Sequence, residues 1–154
     1  MTDQERDGLM TAINSAIAAA PNADTAMKQT VALLKDGIPD YAWVGIYLLS
    51  GNDLVLGPYV GKPSPHTRIP LGRGICGAAA AEKATIVVDD VNNDPRYLTC
   101  SVETRSEIVV PIMQGSDVLG EIDIDSDELR AFGTTDRDLL EPIASMLAER
   151  LSED

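Results

Sequence analysis

Two thiols, one run of alternating carboxylates and a few aromatic side chains have the types and spacing for chemistry in this chain. Cys76 follows Gly72-Arg73-Gly74-Ile75 and leads into Gly77-Ala78-Ala79-Ala80-Ala81. Glycines ahead of a helix start allow close backbone approach, and the unpaired N–H groups of a helix N-terminus stabilise a thiolate. The pattern fits a reactive cysteine, and equally a small buried hydrophobe on an alanine-rich helix. Cys100 sits in the polar stretch Tyr97–Arg105, with Arg96 and Arg105 close in sequence. A loop thiol beside cations can be exposed and have its pKa lowered, which suits a nucleophile. An incidental loop cysteine is the other reading.

The carboxylates lie in Glu121-Ile122-Asp123-Ile124-Asp125. In a strand, period-two alternation puts Ile122 and Ile124 on one face and all three acids on the other. Such a row is either the solvated face of an acidic protein or the wall of a pocket that binds an ammonium group or shares a proton. Glu107, at the start of the apolar run Ser106–Ile112, could join the row from a partner strand. Trp43, Gly45 and Tyr47 share one face of another strand, opposite Val44, Ile46 and Leu48. They read as core packing or as a pocket wall in which Gly45 leaves room between two rings for a small ligand. His66, between Pro65 and Arg68, reads as an ordinary exposed loop histidine.

The elements that must position these residues can be read from periodicity. Leu9, Ile13, Ile17 and Ala20 recur at helical spacing until Pro21-Asn22, and Ala26, Met27, Val31 and Leu34 recur until Gly37 and Pro39. Ala42–Leu49 and Leu54–Val60 read as a hairpin around Gly51-Asn52-Asp53, and the segment from Gly61 to Gly72 holds too many breakers for a regular element. Gly74–Lys83 reads as a short helix and Thr85–Val88 as a short strand. Ser106–Met113 and Val118–Asp125 form a second hairpin. Asp138–Leu151 closes the chain as a helix with Thr135 as N-cap and Pro142 inside its apolar stripe. An antiparallel sheet with helices packed on one face satisfies this order best, an α+β architecture.

Composition narrows the class. The 154 residues suit one domain, and a chain of that length can bury roughly 70% of its unfolded surface without a metal or disulfide staple. The net charge of −13 repels phosphate backbones and anionic lipid, so neither nucleic acid nor a membrane surface is an expected partner. No apolar run is long enough to span a bilayer, and Met1–Asp7 lacks the basic and apolar regions of an export signal. Two cysteines are too few for a secreted disulfide framework, which points to thiols in a reducing cytoplasm.

The motifs together resemble a known family. Gly72-Arg-Gly-Ile-Cys-Gly77, Asp90-Val91, Tyr97-Leu-Thr-Cys100, Ser106-Glu-Ile-Val-Val-Pro111 and Gly120-Glu-Ile-Asp-Ile-Asp-Ser126 follow in order, with Trp43-Val-Gly-Ile-Tyr47, Leu56-Gly-Pro58 and Arg68-Ile-Pro70 ahead of them. The chain closely resembles GAF-domain proteins of the free methionine-(R)-sulfoxide reductase family over about residues 40–150. The 23 residues between the cysteines, with Ser-Glu-Ile-Val-Val-Pro beside them, are more specific than a generic GAF match.

The resemblance implies one GAF domain over residues 1–154, with N-terminal helices in 1–38, sheet and pocket loops in 40–126 and a C-terminal helix in 135–152. It implies thiol-dependent reduction of free methionine (R)-sulfoxide through a cysteine sulfenic acid. Cys100 matches the attacking thiol and Cys76 a second family cysteine. Glu107, Asp123 and Asp125 match carboxylates that hold the ligand and help protonate its oxygen, and Trp43 matches an aromatic wall, with Tyr47 beside it. No metal or organic cofactor is implied. The partners are free methionine sulfoxide or a similar small polar ligand and an external thiol reductant such as thioredoxin or glutathione, and a homodimer is left open. One departure matters: a resolving cysteine usual in the family, ten residues before the Cys76 position, is replaced by His66. Either Cys76 or an external thiol then resolves the sulfenic acid. The alternative is a non-catalytic GAF module that binds a small ligand or senses oxidants.

Overall fold

Capping chemistry sets the first two helices. The Thr2 hydroxyl accepts from the Glu5 N–H while the Glu5 carboxylate accepts from the Thr2 N–H, a reciprocal pair that starts α1 (Asp3–Ala19). The Asn22 side chain accepts from the Thr25 N–H to start α2 (Ala23–Gly37). The computed structural model describes residues 1–99 and 101–153. Its remaining elements are β1 (Trp43–Ser50), β2 (Asp53–Val60), β3 (Arg68–Pro70), α3 (Gly74–Glu82), β4 (Ile86–Val88), a single 3-10 turn at Val91–Asn93, β5 (Ser106–Gln114), β6 (Asp117–Ser126) and α4 (Thr134–Glu153).

The strands form one six-stranded sheet in the order β3-β2-β1-β6-β5-β4, antiparallel at every pairing. β1, β6 and β5 lie at its centre, and alternation sorts their side chains. On the back face Val44, Ile46, Ile108, Val110, Ile112, Ile122 and Ile124 pack against Ile13, Ile17, Met27, Val31, Leu34, Leu140, Ile143 and Leu147 of α1, α2 and α4. On the front face Trp43, Tyr47 and Val109 meet Ile75, Cys76, Ala79 and Ala80 of α3.

Four sequence expectations are corrected here. The helices are not all on one face, because α3 lies on the front over β5, β6 and β3. Small residues permit that: a Cβ on Gly77 would sit 2.6 Å from the Pro70 carbonyl oxygen, so only glycine lets α3 approach the edge strand. The breaker-rich 61–72 segment contains β3, where Ile69 is buried opposite Leu54 and Pro70 is tolerated on a sheet edge. Thr135 is not the cap of α4; the helix starts at Thr134, and the Asp136 carboxylate takes the Gly133 N–H at 2.9 Å. Pro142 is not part of the apolar stripe of α4; it falls on the exposed side of that helix. Among the described residues no helix is long and apolar enough to cross a membrane.

Candidate functional site

Strand register builds the site row by row across the front of the sheet. Trp43, Asp125 and Glu107 form one row, Gly45, Asp123 and Val109 the next, and Tyr47, Glu121 and Pro111 the third. Each β6 acid therefore has one neighbour on β1 and one on β5, with α3 above. The solvated-face reading fails: Glu121 is 0% exposed, Asp123 2%, Asp125 3% and Glu107 4%.

These carboxylates are buried with little help. Both Glu121 oxygens and one oxygen each of Asp123 and Asp125 have no hydrogen-bond partner among the described residues, and none of the ion pairs there involves Glu121, Asp123 or Asp125. Burial pushes the Glu121, Asp123 and Asp125 carboxyls above the usual carboxylate range, and the Asp123 charge raises Glu121 and Asp125 further. Glu107 hydrogen-bonds to Asp123 and Asp125, which opposes part of that rise. A carboxyl can bond another carboxylate only by carrying a proton, so the cluster shares protons as a unit.

Cys76 lies against this wall. The helix start does not acidify it: burial, then Asp123, Glu121 and Glu107, hold its thiol well above the ordinary value. It is a free, buried thiol whose weak S–H faces Glu121 and Asp123. Cys100 lies outside the described residues, so the expectations attached to it have no geometry here. Its neighbours do: the Thr99 carbonyl lies 2.9 Å from His66 Nε2, and Ser101 borders the larger cavity described below.

The aromatic wall differs from the expectation in one respect. A Cβ on Gly45 would lie 2.2 Å from the Trp43 ring, so Gly45 makes room for that indole and not for a ligand between two rings. The indole stacks on Tyr59 with centroids 5.6 Å apart and donates its Nε1–H to the Lys62 carbonyl at 2.9 Å. Trp43 is thus fixed in place before any ligand arrives. The Tyr47 hydroxyl donates to the His66 carbonyl at 2.8 Å. His66 is no ordinary exposed histidine: it is half-buried, with its backbone held by Tyr47 and Ser64 and its ring against Thr99.

Two cavities open from this wall. The larger, about 90 Å³, is bounded by Trp43, Lys62, Ser101, Glu103, Thr104 and Asp125 among others. The smaller, about 20 Å³, is bounded by Tyr47, His66, Cys76, Leu98, Glu107 and Asp123 among others. A Lys62–Glu103 ion pair at 3.1 Å joins the two loops over the larger one, and the Ser101 hydroxyl and Lys62 hold Glu103 down to about 2. Sequence reading missed this bridge, because its residues are 41 positions apart and each looks like an ordinary surface charge. Glu121, which the same alternation places on this face, lines neither cavity.

A curled antiparallel sheet with a lidded, acid-walled pocket on its front face defines a small-molecule-binding domain. The GAF domain model matches residues 22–151, and the chain belongs to that family, among the free methionine-R-sulfoxide reductases. It is 37% identical over 142 residues to GAF domain-containing protein A of Dictyostelium discoideum, covering 92% of this chain and 84% of that one. It is 36% identical over 126 residues to the free methionine-R-sulfoxide reductase of Escherichia coli, covering 82% and 76% respectively. The X-ray structure of the free methionine-R-sulfoxide reductase from Neisseria meningitidis in complex with its substrate superposes with a TM-score of 0.92 at 36% identity, over 99% of this chain and 92% of that one.

Proposed function

We infer that this chain reduces free methionine (R)-sulfoxide to methionine with thiol electrons. The observation that carries the reading is the row Trp43, Asp125 and Glu107: two buried carboxylates, with Asp125 Oδ1 lacking a hydrogen-bond partner among the described residues, beside a fixed indole and a ligand-sized cavity. A free amino acid brings a cation to this wall. Its ammonium group, once desolvated, needs an anion, and an anionic wall needs a cation. The Trp43 ring offers an apolar face to the methyl sulfoxide end.

In this reading the Cys100 thiolate attacks the sulfoxide sulfur, forming an S–S bond while a carboxylic acid of the cluster protonates the sulfoxide oxygen. Transfer of that oxygen to the cysteine sulfur breaks the bond and releases methionine. The substrate sulfur is reduced by two electrons and Cys100 is oxidised to the sulfenic acid. An external thiol condenses with it, releasing water and forming a mixed disulfide, and a second thiol equivalent restores Cys100. Burial and the raised pKa of Cys76 support the external thiol over Cys76 as the resolving group. Thioredoxin or glutathione in the cytoplasm supplies such thiols, and a homodimer is compatible with the scheme.

The test is consumption of free methionine sulfoxide with dithiothreitol as reductant, resolved by sulfoxide stereochemistry. Turnover of the R form that disappears in Cys100→Ser is the expected result. Binding without turnover overturns the enzymatic reading in favour of a ligand or redox sensor.

A further inference from the structure

The smaller cavity is bounded by a buried donor set of one thiol and two carboxylates, of which the reductase chemistry leaves the thiol, Cys76, unused. Cys76 Sγ, a Glu107 carboxylate oxygen and an Asp123 carboxylate oxygen lie within 4.8 Å of one another, and all three residues are buried. They line a space of about 20 Å³, enough for one water or one ion. Asp123, which lines this space, keeps one buried oxygen, Oδ1, with no hydrogen-bond partner among the described residues. Cys76 itself takes no part in the attack or in the proposed resolution of the sulfenic acid.

We propose that Cys76, Glu107 and Asp123 form a site for one thiophilic divalent transition-metal ion of the Zn²⁺ class. The chemistry of the donors selects the ion. Zn²⁺ accepts mixed sulfur and oxygen donors at about 2.0–2.3 Å, with three protein ligands and one open position. Drawing the three atoms in by roughly 1 Å reaches that geometry. Ca²⁺ and Mg²⁺ take oxygen donors and gain nothing from a thiolate. Binding displaces the thiol proton, and the metal charge offsets the cost of burying the two carboxylates. His66 also borders the space, but its Nε2 is committed to the Thr99 carbonyl and it is not counted as a ligand. Glu107 and Asp123 belong to the wall assigned to the substrate ammonium, so metal and substrate exclude each other. That consequence rests on the reductase reading; the metal site does not.

The experiment uses the full chain, reduced and freed of metal by dialysis. Zn²⁺ is titrated calorimetrically and Co²⁺ spectroscopically. One equivalent should bind with proton release, and Co²⁺ should give a thiolate charge-transfer band. Cys76→Ser should abolish the band and weaken Zn²⁺ about tenfold or more, while Cys100→Ser retains both. Glu107→Gln, which keeps the thiol, should weaken Zn²⁺ by a similar factor with the band preserved, and serves if Cys76→Ser does not fold. Absence of binding at about 0.1 mM metal overturns the proposal. A band that survives Cys76→Ser and vanishes in Cys100→Ser also overturns it. Free methionine sulfoxide should raise the apparent Zn²⁺ Kd in proportion to its concentration. If Zn²⁺ binds through Cys76 but sulfoxide leaves the Kd unchanged, the metal site stands and the substrate assignment of this wall fails. Turnover without metal binding has the opposite meaning.

Discussion

The two faces of β6 are buried to the same degree and do opposite things. On the back, Ile122 is 1% and Ile124 0% exposed, packed among aliphatic side chains of α1, α2 and α4. On the front, Glu121, Asp123 and Asp125 are equally enclosed, yet several of their oxygens have no hydrogen-bond partner among the described residues. Each back-face side chain contributes about 1.5–3 kcal/mol by leaving water. Each front-face carboxyl costs stability, because desolvation without a full hydrogen-bond complement is unfavourable. The same strand therefore holds the fold together on one side and stores binding potential on the other. A ligand that brings a positive charge to this wall would offset that cost.

The sharpest way to break this comparison is a matched pair of substitutions across one strand. Ile124→Ala should lower unfolding free energy by about 2–5 kcal/mol in a urea titration, through lost burial and a residual cavity. A smaller loss would mean the back face is not the closely packed side. Asp125→Asn should leave the fold intact and weaken methionine sulfoxide binding by about 1–3 kcal/mol, the range for a charge-assisted hydrogen bond. Calorimetry in a Cys100→Ser background measures it without turnover. Unchanged affinity in Asp125→Asn and in Glu107→Gln would remove the front face from the binding site.

A third change tests the cost itself. The Glu121 carboxyl is raised by burial and by Asp123, so the folded chain holds a proton that the unfolded chain releases above its ordinary pKa of about 4.3. Stability from this group is fully present below that pH and is lost as pH rises toward the folded value, since the native state binds more protons. Glu121→Gln should flatten that part of the profile and raise stability at pH 7 by on the order of 1 kcal/mol. Thermal melts from pH 4 to 8 read the difference; parallel profiles for variant and parent would show that Glu121 is ionised in the folded protein. The smallest effect is expected at the rim. Lys62→Met removes the exposed Lys62–Glu103 pair and should leave the melting temperature unchanged, because side chains that far in solvent gain little from pairing. A clear drop would make the loop bridge part of the fold and not a cover over the cavity.

Much of this was legible in the chain itself. Period-two alternation put three acids on one face of one strand, and the partner hairpin offered Glu107 as a fourth; the Glu107–Asp125 register agrees. The helical stripes around Ile13, Val31 and Leu147 foretold the back core, because spacing of apolar residues is a local property that burial reads directly. Tertiary structure alone decided the rest. Alternation says which residues share a face, but whether that face meets water depends on α3 and two loops far away in sequence. The place of α3 follows from Gly77 having no Cβ where the Pro70 carbonyl stands, and the role of Gly45 from where the Trp43 ring turns. The raised pKa of Cys76 has the same origin. A helix start acidifies a thiol in water, but here burial and three carboxylates brought in by β5 and β6 outweigh it, because a charge beside other charges out of water is governed by what is near in space.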